Sequence, residues 1–154
     1  MNRRVWKYFV CIMLFCWPQP GQAGDFDGST PMVCATLRAI ECVPGGNCSE
    51  VSLESAGLPR FAVIDVQNKV IHPTKETGLN RKSPIEREET VDGKLILQGA
   101  EDGIQGVRDG LGWTFAIAEN SGKLVLTASG DDVAFVVFGE IGRASCRERV
   151  CHRV

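Results

Sequence analysis

The chain carries only two histidines, no CxxC cysteine pair and no long apolar run. Each absence removes a class of function. A zinc site needs a compact set of Cys and His ligands. Here His72 stands alone in the central region, and Cys34, Cys42 and Cys48 lack the paired spacing of such a site. A membrane-spanning helix needs about 20 consecutive apolar residues, and the run from Tyr8 to Trp17 is half that. The glycines at 99, 103, 106, 110 and 112 lack the GxGxxG order and the following helix that cradle phosphate, so this acidic stretch reads as a loop. Asp25, Asp27 and Gly28 open like a calcium loop, but Thr36 stands where the closing glutamate is required. No metal or cofactor is therefore expected.

The first residues are those of an export signal. Arg3, Arg4 and Lys7 precede the apolar run, and Pro18, Pro20 and Gly21 lead to Ala23. This pattern predicts a signal peptide over 1–23, cleaved before Gly24. Phe15 before Cys16 disfavours lipidation, and the Arg3–Arg4 pair is ordinary in a Sec leader. The expected location is periplasmic or secreted, with no stable membrane anchor after cleavage. Disulfides are chemically permitted there.

The last residues read differently. Ile141 to Val150, IGRASCRERV, resembles the translation of a common short-read sequencing adapter, ATC GGA AGA GCG TCG TGT AGG GAA AGA GTG. The codon of Glu140 would straddle the junction. Residues 140–154 are accordingly expected to be a non-native tail on a truncated gene, leaving a single domain over 24–139.

Trimming both ends changes the charge. Of 17 lysines and arginines, three lie in the leader and four in the tail, leaving ten; of 19 acids, two lie in the tail, leaving 17. The domain thus carries a net charge near −7, against −2 for the whole chain. Without a basic stripe it has no electrostatic footprint for nucleic acid or anionic lipid. Its 116 residues suit one domain with a real core.

Three cysteines remain. Cys42 and Cys48 flank the turn-forming Val43-Pro44-Gly45-Gly46-Asn47, which predicts a Cys42–Cys48 disulfide, with Cys34 to Cys42 or to Cys48 as lower-ranked pairings. On the first pairing Cys34 lacks a partner, and truncation near Gly139 accounts for the loss.

The rest is a succession of short strands. Val33 to Glu41 fits a helical face through Val33, Leu37 and Ile40, but alternates as a strand through Val33, Ala35, Leu37 and Ala39; the strand is preferred. Cys48–Leu53 pairs back, Phe61–Val66 turns at Gln67-Asn68 into Val70-Ile71, and His72–Pro84 forms a polar surface loop with room for an irregular edge strand. Asp92-Gly93 between Ile85–Val91 and Lys94–Gln98 is the strongest hairpin signal, because this pair accepts the positive φ of a type I′ turn. Trp113, Phe115 and Ile117, then Leu124 and Leu126, then Val133, Phe135 and Val137 mark further strands. Val133–Phe138 is apolar on both faces, as a strand covered on both sides would be. These elements predict an all-β fold, an antiparallel meander closing into a small barrel or curved sandwich.

Gly57-Leu58-Pro59-Arg60-Phe61 with Ile64 and Asp65, DGKLILQG at 92–99, GLGW at 110–113 and SGDD leading into FVVFG at 129–139 together resemble a group of small exported proteobacterial proteins of uncharacterised function. The similarity spans most of 25–139, with extra residues around Ile104–Asp109. It implies export and a shared fold, and carries no catalytic residues. Members commonly continue FVVFG with Ala-Cys, which would supply the partner of Cys34.

Chemistry is sparse. Glu86, Glu88 and Glu89 read as a solvated strand face, and His72 near Asp65 is the lone general-base candidate. The expected function is non-enzymatic: a periplasmic β-barrel binding a small molecule or lipid, lined by Trp113, Phe115, Phe135 and Phe138. The alternative is a protein-interaction module such as a hydrolase inhibitor, engaging a periplasmic partner through loops at His72–Pro84 and Ala100–Gly112. Independently sequenced genomic DNA is expected to diverge after Gly139 and to encode a cysteine within a few residues; recurrence of IGRASCRERV there would restore that segment to the protein.

Overall fold

The computed structural model of the chain describes residues 26–75, 81–103 and 109–142. The expected signal peptide lies outside these residues, as do 143–154 of the expected tail. The described chain is all β. Ten strands run β1 Met32–Val43, β2 Asn47–Val51, β3 Phe61–Asp65, β4 Val70–Pro73, β5 Ser83–Pro84, β6 Arg87–Val91, β7 Lys94–Glu101, β8 Leu111–Ala118, β9 Lys123–Ser129 and β10 Ala134–Gly142. The ambiguous segment after Met32 is a strand throughout, its alternation won by antiparallel partners on both sides. At the β6–β7 turn Asp92 and Gly93 both take positive φ, 49° and 69°, as a type I′ hairpin demands.

All pairings are antiparallel, in the order β5-β4-β3-β1-β10-β9-β8-β7-β6, with β2 added to the outer half of β1. Neighbours in the sheet are neighbours in the chain except at β1, which pairs with both β3 and β10. The sheet curls into a half-barrel, and its two ends, β5 and β6, are separated only by Ile85 and Glu86. These adjacent residues face opposite ends of the sheet. Ile85 N–H donates to the Lys69 carbonyl before β4 at 2.9 Å, and Glu86 N–H donates to the Gln98 carbonyl on β7 at 2.8 Å. The expected strand Ile85–Val91 therefore begins only at Arg87, because Ile85 and Glu86 bond to opposite ends of the sheet and join neither ladder. An exposed Lys69–Glu88 ion pair of 3.6 Å spans the same seam.

Residues pointing inward form layers across the strands. Register places Leu95, Ile117, Leu124, Gly139 and Thr36 in one layer, Leu97, Phe115, Leu126, Val137 and Ala39 in the next, and Gly99, Trp113, Ala128, Phe135 and Glu41 in the third. The third layer alternates Gly99 and Ala128 with Trp113 and Phe135, whereas the first two are filled mainly by Leu, Ile, Phe and Val. The first end is closed: Phe26, held by its N–H to the Glu119 carbonyl at 3.0 Å, packs on a core that includes Val66, Leu95 and Ile117. The other end, beside Trp113, is less completely filled.

Two glycines make the curl sterically feasible. A Cβ on Gly99 would collide with the Pro84 carbonyl oxygen across the seam and with the six-membered ring of Trp113. One on Gly139 would lie 2.7 Å from the Ala35 carbonyl oxygen. Beside Gly139, β1 carries a β-bulge at Leu37, which turns that side chain outward, 62% exposed. Gly99→Ala is expected to lower the urea unfolding free energy by roughly 1–3 kcal/mol through overpacking. Gly112→Ala, whose Cβ meets nothing within 4 Å, should change it by less than about 0.5 kcal/mol.

Candidate functional site

The open end of the half-barrel contains an apolar cleft of about 140 Å³. Three regions build it. Strands β8, β9 and β10 supply one wall through Trp113, Phe115, Leu126, Ala128, Phe135 and Val137. The turn after β2, closed by Leu58 N–H donating to the Leu53 carbonyl at 2.8 Å, supplies Ala56 to Pro59 opposite. Its approach to β1 is fixed by the Thr36 hydroxyl donating to the Pro59 carbonyl at 2.9 Å and by Thr36 N–H donating to that of Arg60. The third region is polar: His72, Arg81, Ser83 and Glu101. There the Ser83 hydroxyl donates to Glu101 Oε1 while Arg81 pairs with Glu101 Oε2. The Arg81 charge balances that of Glu101, although Oε2 has the ion pair and no hydrogen bond.

The rings of Trp113 and Phe115 meet edge to face, with centroids 5.4 Å apart and planes at 90°. Such a pair contributes about 0.5–1.5 kcal/mol beyond its buried area and holds the indole still. Trp113 is only 7% exposed, yet its Nε1–H has no hydrogen-bond partner among the described residues. An orphaned buried donor costs about 1–3 kcal/mol.

Of the four aromatics expected to line a cavity, Trp113, Phe115 and Phe135 do so and Phe138 does not. Alternation along β10 turns Phe135 and Val137 inward and Phe138 outward, where it is 40% exposed and pairs with Val125 of β9. The outer face of β10 is thus open, contrary to the expectation of a strand covered on both sides. His72 and Asp65 do not form a catalytic pair. Asp65 accepts from the Asn68 side chain at 2.8 Å and its backbone N–H at 3.0 Å, which lower the carboxyl pKa, with His72 adding only a weaker attraction. His72 Nδ1 instead donates to the Pro73 carbonyl at 3.0 Å. Glu86, Glu88 and Glu89 lie on the exposed outer side of the seam, around a separate shallow groove with Lys69. The Asp27 carboxylate accepts from Ser29 N–H at 2.9 Å, a local turn. Among the described residues no group of three or more His, Cys, Asp or Glu side chains is placed to hold a metal. Parts of both loops considered for partner binding, 76–80 and 104–108, lie outside the described residues.

Several lining residues escaped the sequence reading. Ala56 to Pro59 carry no site signal in the sequence, and Arg81 and Ser83 are far along the chain from Glu101. The seam brings them together. Gly99, read as part of a loop, instead lies inside β7, where a glycine interrupting a strand is the signal of a close approach.

Cys42 and Cys48 are bonded, directly opposite each other on β1 and β2, as the intervening turn predicts. A disulfide fits an oxidising compartment. No helix among the described residues is long and apolar enough to cross a membrane. Cys34 is a buried free thiol beside the cleft, and burial pushes its pKa from 9.0 up to about 12. Its neighbour across β10 is Ile141. Although 140–154 was set apart as a tail, β10 runs on through Gly142: Ile141 is buried in the core, and its N–H donates to the Gly122 carbonyl at 2.7 Å. Position 141 faces inward by register, so an apolar side chain there is buried.

Comparison with known proteins finds no matching family model, no matching curated protein and no matching solved structure. Ile141→Cys should form a cross-strand disulfide with Cys34 on oxidative refolding, seen in peptide mapping as a fragment joining 34 to 141; a persistently free Cys34 in the folded variant would refute that pairing.

Proposed function

We propose that this protein is a non-enzymatic, exported binding module of the periplasm that holds a small apolar or amphipathic molecule at the open end of its half-barrel. The observation that carries this reading is the cleft itself. A core of this size could have been filled, yet about 140 Å³ remains open between Trp113, Phe135 and the Leu58–Pro59 turn. Apolar walls with a few convergent polar groups are the usual composition of a ligand site. The volume also bounds the ligand. A dry engineered cavity of about 150 Å³ admits benzene, so the enclosed part here suits one ring or a short branched chain rather than a whole acyl tail. The Glu101 carboxylate is held in its ion pair with Arg81 and so is not a free base, which supports binding over catalysis.

Ala128 lies between Trp113 and Phe135 in its layer and lines the cleft. A ligand at ten times its Kd raises stability by about 1.4 kcal/mol, enough to read as a shift in Tm. Toluene should raise the Tm of the wild-type protein and leave that of Ala128→Phe unchanged, because the added ring fills the cleft. Equal shifts in both, with circular dichroism showing the same β content, would place binding elsewhere.

A further inference from the structure

Resting on that binding role, we propose that the Cys42–Cys48 disulfide is a redox latch on the cleft, holding the Ala56–Pro59 wall in place while oxidised and loosening the ligand when a dithiol reduces it.

The wall opposite Trp113 is built from the turn after β2, and none of its residues joins the buried core. Its backbone hydrogen bonds within 52–58 are local: Ala56 N–H donates to the Ser52 carbonyl, Gly57 N–H to that of Glu54 and Leu58 N–H to that of Leu53. Such bonds fix the shape of the turn without fixing its place. Two attachments do that. Downstream, the Thr36 hydroxyl and N–H hold the Pro59 and Arg60 carbonyls. Upstream, the turn hangs from β2, which pairs with β1 alone and is exposed from Asn47 through Glu50. A hairpin ladder that buries no apolar face is marginal in water, and the exposed Arg38–Glu50 ion pair of 2.9 Å adds little to it. The covalent link between the directly opposed Cys42 and Cys48 therefore carries the upstream attachment.

That link is also open to exchange. Alternation turns Cys42 to the outer face, where it is half-buried, and Cys48 is exposed. Exposed disulfides are the labile ones. A thiolate of the dithiol attacks one sulfur to form a mixed disulfide, and the other cysteine leaves as a thiolate; the second thiol then closes a cyclic disulfide and releases the first cysteine. Two electrons and two protons pass from the dithiol to Cys42 and Cys48, whose thiols no longer tie β2 to β1. A ligand must then order the wall as it binds, so its affinity falls by the fraction of molecules in which the wall already stands in place.

Calorimetric titration of the full chain with toluene, before and after reduction by dithiothreitol, tests this. Reduction should weaken toluene binding roughly tenfold, as for a wall in place in about one molecule in ten. Linkage requires the converse: saturating toluene should lower the reduction potential of Cys42–Cys48 by about 30 mV for that factor. Amide exchange at Ala56 and Leu58 should quicken on reduction while that of β8 stays slow. In Cys42→Ser/Cys48→Ser, toluene should bind as weakly as to the reduced protein, and dithiothreitol should change nothing. Equal toluene affinity in both redox states, a dithiothreitol effect that survives in the double variant, or global loss of β structure on reduction would each overturn the latch while leaving the binding role intact. Failure of toluene to bind the oxidised protein would overturn the binding role as well.

Discussion

Strands β1 and β10 lie roughly 100 residues apart in sequence, and closing a loop of that length costs entropy before any contact repays it. Their nine register pairs supply the return, and every inward layer of the barrel depends on them. They place Cys34 and Gly139 against Leu124, carry Val137 and Phe135 to the cleft, and give β3 an edge on which to build. The bulge at Leu37 lets β1 stay paired with β10 while passing from β3 on its other edge to β2. The seam at Ile85 and Glu86 is the second closure, and it needs the first, since neither end of the sheet would reach the other without the curl accumulated between them.

Strand identity was legible where side chains alternate and turns carry their own chemistry. Trp113-Phe115-Ile117 and Leu95-Leu97 show period two, and Asp92-Gly93 specifies a turn type by its tolerance of positive φ. Cys42 and Cys48 were legible for the same local reason, with a short turn setting their distance. The late start of β6, at Arg87 rather than Ile85, was not. Its cause is a pair of backbone hydrogen bonds to distant carbonyls, and no side-chain pattern encodes which carbonyl a given N–H will meet.

The site was half legible, and the division follows the same line. Aromatic side chains at alternating positions of β8 and β10 announced an inner wall. Phe138 was misplaced because a strand apolar on both faces hides its own parity; Val136 and Phe138 are as apolar as Val137 and Phe135. Arg81, Ser83 and Glu101 look unremarkable in sequence. Tertiary closure alone makes them a balanced polar side to an apolar cleft.

Gly99 and Trp113 face each other across β7 and β8 with no room for one more carbon. The two positions are consequently not free to drift independently. A lineage that acquired a side chain at 99 would have to shrink the ring at 113, and with it surrender the buried indole donor. Among any relatives of this chain, a glycine at the first position and a tryptophan at the second should be inherited or lost as a pair, so that a backbone constraint at the seam becomes visible as covariation in sequence.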